Sequence, residues 1–234
     1  MRALTPEILD FLAPEDPRAQ RSRRDLARIN GVMRQSAIMA RALAACPAPR
    51  LLADLGGGDG RFLLRVAQRM AGRWPGVRAV ILDRQDIVSE KTRAGFAALG
   101  WSCETLQGDI FETLPQIQPD IVTANLFLHH LDDAALRRLL SLVASRSRAF
   151  VACEPRRSAF ALLGARLVFA LGANDVTRHD AVASVQAGFR DLDLSLLWPK
   201  DRAWICRESG AFPFSQVFYA LASSSEAIGH KNAL

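Results

Sequence analysis

Three glycines at alternate positions, set directly behind a short apolar run, constrain this chain more than any other feature. Arg50–Leu55 (RLLADL) leads into Gly56-Gly57-Gly58-Asp59-Gly60, after which Arg61–Met70 (RFLLRVAQRM) places its apolar residues on one helical face. That order predicts a buried strand, a tight turn and a helix. Glycines at 56, 58 and 60 let the backbone turn sharply and let a ligand approach where any Cβ would obstruct it. A flat or extended ligand is therefore expected over the loop. The spacing is not that of a dinucleotide fold, which needs G-x-G-x-x-G: one register reads Gly56, Gly58, Arg61, and the other reads Gly58, Gly60, Leu63. Asp54 and Asp59 would also repel a diphosphate, whereas a ligand bearing an ammonium group would accept them.

The pattern that follows alternates short apolar runs with amphipathic stretches. Strands are expected at Val77–Leu82, Ser102–Leu106, Asp120–Leu126 and Ala149–Cys153, with helices at Ile87–Leu99 and Asp132–Ala144. Such alternation implies βαβ units and a parallel sheet. In the last third, Asp191–Leu197 (DLDLSLL) and Phe214–Leu221 (FSQVFYAL) read as two strands around the turn Trp198-Pro199-Lys200-Asp201. Joined without a helical crossover, they should pair antiparallel. The apolar stretch Ala159–Ala173 is too short to span a bilayer and carries Arg166 at its middle. It reads as a buried helix, with the lining of a greasy substrate pocket or a membrane-surface helix as alternatives. Pro47 and Pro49 mark a break, so residues 1–48 are expected to form an N-terminal helical cap or lid, 49–222 the main domain and 223–234 a flexible tail.

Composition narrows the class. The 234 residues are 50% hydrophobic and 23% charged, which excludes disorder for the body of the chain and suffices for one ordinary core. Net charge is +6, yet only three of the 30 basic residues are lysines, an arginine bias that a GC-rich genome produces by itself. The arginines clustered in residues 1–50 read as a solvated surface or as a contact for an anionic partner. Cys46, Cys103, Cys153 and Cys206 form neither a C-x-x-C pair nor a zinc spacing, so reduced thiols in a cytoplasmic protein are expected, with no metal site. The start of the chain, MRALTPEILDFLAPEDP, holds acids and prolines where a secretory leader needs an apolar run.

The glycine run resembles the D/E-x-G-x-G-x-G motif of the class I S-adenosylmethionine-dependent methyltransferases, with Asp54, Gly56, Gly58 and Gly60 in its places. Three further segments strengthen the resemblance in the right order. Asp83 ends the second strand, where that family places the acid that receives the ribose hydroxyls. Gly108-Asp109-Ile110-Phe111 is similar to the segment whose acid holds the adenine amino group. Asp120 to Leu131, with Asn125 and the His129-His130-Leu131 triplet, is similar to the fourth-strand stretch of the small-molecule branch, the quinone and polyketide methyltransferases. The resemblance covers residues 50 to 221. It implies a Rossmann-like, doubly wound α/β fold with a mostly parallel seven-stranded sheet and an antiparallel last strand. It also implies a bacterial enzyme of secondary metabolism with S-adenosylmethionine as cofactor and S-adenosylhomocysteine as product. Read from the residues alone, Asp54 and Asp109 could instead cap turns, and Asp83 could be a strand-end acid.

Methyl transfer is an in-line displacement from a sulfonium, so positioning supplies much of the rate, and a base is needed only where the nucleophile has a proton to lose. The candidates are His130, with His129 beside it, and His179 in the polar run Asn174-Asp-Val-Thr-Arg-His-Asp180, which otherwise caps a helix. Glu154 follows the fifth strand, and Arg156 and Arg157 beside it would suit an anionic acceptor. After the fourth strand the chain reads Ala124-Asn125-Leu126-Phe127, without the N/D-P-P-Y/F sequence that grips an extruded base, which argues against nucleic acid. The expected acceptor is a small, lipophilic aromatic or polyketide-like molecule, O-methylated in preference to C-methylated. The alternatives are an rRNA or tRNA methyltransferase and a non-catalytic protein that keeps the fold and works through a partner. A homodimer is compatible with either.

Overall fold

The computed structural model describes residues 2–223 apart from Pro14, Val168, Phe169, Leu171, Asp201 and Arg202; beyond Ser223 the expected flexible tail lies outside the described residues. Seven strands, β1 (Leu51–Leu55), β2 (Arg78–Asp83), β3 (Ser102–Gln107), β4 (Ile121–Asn125), β5 (Ala149–Pro155), β6 (Trp204–Ala211) and β7 (Ser215–Ala222), form one sheet in the order β3-β2-β1-β4-β5-β7-β6. The first five pair in parallel, and β7 runs antiparallel to both β5 and β6. The chain builds outward from β1 to β3, then returns to add β4 on the other side of β1. That reversal opens a crevice beyond the carboxyl ends of β1 and β4, where open α/β sheets bind ligands.

Both faces of the sheet are covered, which is why the central strands read as continuous apolar runs. On one face, α3 (Arg61–Met70) buries Leu63, Val66, Ala67 and Met70 at helical spacing, beside α4 (Glu90–Ala97) with Phe96. Ser89 caps α4 by accepting the Thr92 N–H, so this helix starts later than the expected Ile87. On the other face, α6 (Asp133–Arg146) packs Leu136, Leu139, Leu140 and Val143 against Val122, Phe150 and Phe218, behind the short α5 (Ile110–Thr113).

The N-terminal segment divides between two jobs. Within it, α1 is Pro17–Val32 and α2 is Gln35–Leu43. α2 sends Met39 and Leu43 into the same core cluster as Leu52 and Leu63, so it is a layer of the sheet's covering. Residues 2–12 and α1 lie instead along α8 (Asp175–Ala187), with Ala3 N–H donating to Gln186 O and Ser22 bonded to Thr177.

Three sequence expectations need correction. Ala159–Ala173 is not one buried helix: α7 ends at Arg166 (Ala159–Arg166), and Phe160, Leu163 and Leu167 are 56%, 54% and 49% exposed. Its buried residues are the small Ala161 and Ala165, which pack with Leu162, Val185 and Phe214 in a small cluster. Asp191–Leu197 is not a strand but contains the short helix α9 (Asp193–Leu197), whose first amides are held by Glu208: Leu194 and Ser195 both donate to it. The alternating leucines gave the wrong period because Leu194 is buried while Leu192 and Leu196 face solvent. The partner strand of β7 is β6, whose polar sequence WICRESGA suits an edge and hides its strand character. No helix among the described residues is long and apolar enough to cross a membrane.

Candidate functional site

The glycine loop occupies the crevice at the β1/β4 reversal. Gly56, Gly58 and Gly60 all have positive φ (63°, 54° and 71°), the left-handed region that side chains with a Cβ resist. The loop is tied down by Gly56 N–H donating to Leu82 O (2.8 Å) and by Gly58 N–H donating to Asp83 Oδ2 (2.9 Å). Above Gly58 the structure is open: a Cβ built there meets nothing within 4 Å. At Gly56 a Cβ would instead run into the ring of Phe127, which arrives from the end of β4.

The predicted acids converge on this loop, in different roles. Asp54 lies beneath it, 2% exposed, its Oδ1 accepting from Thr123 Oγ1 at 2.7 Å. Burial raises its pKa to about 7, against the hydrogen bond from Thr123 and with help from the nearby Asp83 charge. Asp83 closes β2 and joins the loop to the next turn, where Gln85 N–H donates to its Oδ1 at 2.9 Å. Asp109 caps α5 through the Phe111 N–H (2.8 Å), with its second oxygen 3.5 Å from Arg84. Ile110 beside it is buried. Asn125 ends β4 at the crevice, one step beyond the Leu55–Ala124 pair, and its buried Oδ1 has no hydrogen-bond partner among the described residues. A native protein seldom leaves such an acceptor unmatched. A ligand that offers N–H donors and lies across an open glycine turn fits these residues.

The histidines lie in two separate places. His179 sits on α8, its ring 45% exposed and its Nδ1 3.0 Å from Asp180 Oδ1; the polar run is the start of that helix, capped by Asn174. Asp180 also accepts the N–H groups of Ile8 and Leu9 (2.8 and 3.0 Å), which fastens the N-terminal segment to α8. His129 and His130 form the one-turn helix Leu128–His130 after β4. Glu154, fully buried at the end of β5, shapes that turn: one oxygen accepts from the amides of Phe127 (3.0 Å) and Leu128 (2.9 Å), and the other lies 2.7 Å from His129 Nδ1.

Glu7 completes the cluster. Its carboxylate lies 3.3 Å from His129 Nε2 and 4.0 Å from His130 Nε2, and it also accepts from Ser184 Oγ. Burial opposes charge on His129, but the hydrogen bonds to Glu154 and Glu7 outweigh it and raise the pKa to about 9. Burial likewise disfavours the Glu7 carboxylate, and the two histidines more than offset that, so its pKa is lowered. Nothing in the sequence pointed to Glu7, because 122 positions separate it from His129. Arg157 is committed to Asp193 at 2.9 Å and to Gly188 O, which places it within the β5–α9 packing.

A family model described as an O-methyltransferase domain matches residues 12–150. A mitomycin biosynthesis 6-O-methyltransferase from Streptomyces lavendulae is 34% identical over 94 residues, 39% of this chain and 25% of the relative. Among solved structures, an O-methyltransferase family protein from Burkholderia thailandensis superposes with a TM-score of 0.61 at 19% identity, over 90% of this chain and 61% of that one. The plantazolicin methyltransferase BpumL, in complex with SAH, gives a TM-score of 0.62 at 10% identity, over 89% of this chain and 92% of that one. The chain thus spans about a quarter of the curated relative and about three-fifths of the Burkholderia protein. The structural likeness shows the fold, a doubly wound methyltransferase-type sheet.

Proposed function

Since the chain belongs to the O-methyltransferase domain family, we propose that it transfers a methyl group from S-adenosylmethionine to a hydroxyl of a small, lipophilic aromatic or polyketide-like molecule, leaving S-adenosylhomocysteine. The observation that carries this reading is the open glycine turn at the sheet reversal, flanked by Asp83 and by the unmatched Asn125 carbonyl oxygen. Bound there, the cofactor would supply an electrophilic methyl group on a sulfonium whose thioether leaves readily. Gly56, Gly58 and Gly60 would cradle its chain, Asp83 would receive the ribose hydroxyls, Asp109 and Ile110 would hold the adenine, and Asn125 would take an N–H of the amino-acid end. Asp54, beneath the loop, ties β1 to β4 through Thr123.

An acceptor hydroxyl has a proton to lose. The histidine pair after β4 stands at the carboxyl edge of the sheet, and Glu154 fixes His129 through Nδ1, directing Nε2 away from β5. We assign proton acceptance to this pair, with His130 as its more exposed member. While Glu7 sits on Nε2 the ring holds its proton, so the Glu7 carboxylate must withdraw before His129 can act. His179, backed by Asp180, is the second candidate, for an acceptor lying over α7 and α8. The mitomycin O-methyltransferase relative favours a hydroxyl over a carbon nucleophile. The four free cysteines support a reducing, cytoplasmic setting.

Calorimetric titration of the protein with S-adenosylmethionine, S-adenosylhomocysteine and a reduced nicotinamide cofactor tests the assignment. One-to-one binding of the two sulfur ligands alone is expected, followed by methylation of phenols or polyketides detected by mass. Binding of neither would overturn it and leave a protein that works through a partner.

A further inference from the structure

The cluster around Glu7 has the composition of a metal centre. We propose that Glu7, His129 and His130 form a site for one divalent transition-metal ion of the zinc class, which pins the N-terminal segment to the turn after β4. One carboxylate and two imidazoles bring their ligand atoms within 4.8 Å of one another. Such a set suits zinc and its neighbours, which favour nitrogen and oxygen donors with one position left for water or a ligand.

Spacing agrees with chemistry. Tetrahedral zinc with bonds of about 2.0–2.1 Å holds its ligand atoms about 3.3 Å apart. Glu7 Oε1 and His129 Nε2 stand at 3.3 Å. His130 Nε2, 4.0 Å from the other Glu7 oxygen, needs only a small ring movement, and its side chain is 27% exposed where that of His129 is 3%.

The surrounding groups are those a metal-binding histidine requires. The second ring nitrogen of such a residue is normally held by a carboxylate, which fixes the tautomer and aims the free nitrogen at the ion. Glu154 does this for His129 at 2.7 Å, and is itself immobilised by two backbone amides. Ser184 holds Glu7, and the segment carrying Glu7 is anchored on both sides. Arg2 donates to the carbonyls of His129 and Leu131, and Asp180 accepts from Ile8 and Leu9.

The proposal goes beyond methyl transfer: an ion held on both rings occupies the nitrogens that would otherwise accept a proton and leaves that role to His179, and the test does not use that activity. The full chain, stripped with a chelator, is titrated with Co²⁺, whose visible d–d bands report tetrahedral nitrogen and oxygen ligation, and Zn²⁺ is then added in competition. One Co²⁺ per chain is expected, displaced by one Zn²⁺. Glu7→Gln and His130→Asn should each abolish the bands, and Glu154→Gln should weaken binding by about 10–100-fold, the usual effect of losing an orienting partner. His179→Ala, whose ring lies outside the triad, should bind as the parent does. Because Glu7→Gln keeps the shape of the side chain, its fold is checked by circular dichroism. Absence of bands with the parent chain, or unchanged affinity in a folded Glu7→Gln protein, would overturn the proposal and leave a proton on His129 as what holds Glu7 in place.

Discussion

Replacing Glu154 with glutamine tests how the turn after β4 is built. In the parent chain one buried carboxylate serves three donors, the amides of Phe127 and Leu128 and the ring of His129. Glutamine preserves shape and volume, and its carbonyl oxygen can still accept from both amides. Its NH₂ group, however, faces the His129 ring nitrogen that was donating, so in the metal-free chain a buried imidazolium loses its counter-charge. Breaking one side of a buried ion pair costs about 3–5 kcal/mol. His129 can relieve part of this by releasing its proton, since Glu7 alone then holds the charge. A net loss of about 3 kcal/mol is expected, which in a domain of 150–250 residues corresponds to a fall of about 6–12 °C in Tm. Urea unfolding followed by circular dichroism and tryptophan fluorescence measures it, with an unchanged m-value showing that the change lies in stability alone. A loss under about 0.5 kcal/mol, the range of ordinary surface substitutions, would refute the claim that Glu154 organises this turn from within the core.

The other predictions concern the loop, its supporting acid and the N-terminal helices. Gly58→Ala has room for its Cβ but must hold φ near 54°, so stability should fall by about 1–2 kcal/mol, while S-adenosylmethionine binding, read by calorimetry, should be lost to a greater extent. Gly58→Val should abolish that binding, and a folded Gly58→Val protein that still bound the cofactor would count against the loop geometry. Asp54, with its pKa raised from 3.8 to about 7, holds a proton in the folded chain that the unfolded chain gives up. Its contribution is therefore fully present below about pH 4 and is lost as pH rises through 7, so Asp54→Asn should flatten the fall in urea midpoint across that window. Leu43→Ala, in the fully buried α2 face, should cost about 2–5 kcal/mol. Removal of residues 1–48 should prevent folding, and a cooperative unfolding transition in that truncation would show α2 to be dispensable.

Local pattern made the first part of the chain legible. Each glycine, strand-end acid and helix start between Leu51 and Asn125 is a short-range event, decided by φ preference, apolar period and capping within a few residues. The same rules misread Asp191–Leu197, where three leucines alternate but Glu208, from β6, caps a helix turn. They also overlooked β6, because an edge strand that pairs only with β7 needs no apolar period of its own. The apolar run at Ala159–Arg166 overstates burial for a related reason: hydrophobicity records what a helix can bury, and here the buried residues are the small Ala161 and Ala165 while Phe160 and Leu163 stay exposed.

The histidine cluster marks the boundary between the two kinds of information. The residue types that make the crevice chemically distinct, Asp54, Asp83, Asp109, Asn125 and the glycines, are determined by the sequence, since backbone geometry forces them into place. Which histidine is buried, which carboxylate orients it and which one meets its second nitrogen were decided only when β5 was laid beside β4 and residues 2–12 were drawn across α8. Those contacts join positions 25 and 122 residues apart, and no local preference encodes them. They exist because the packed sheet brings buried polar groups together and leaves them no water with which to bond.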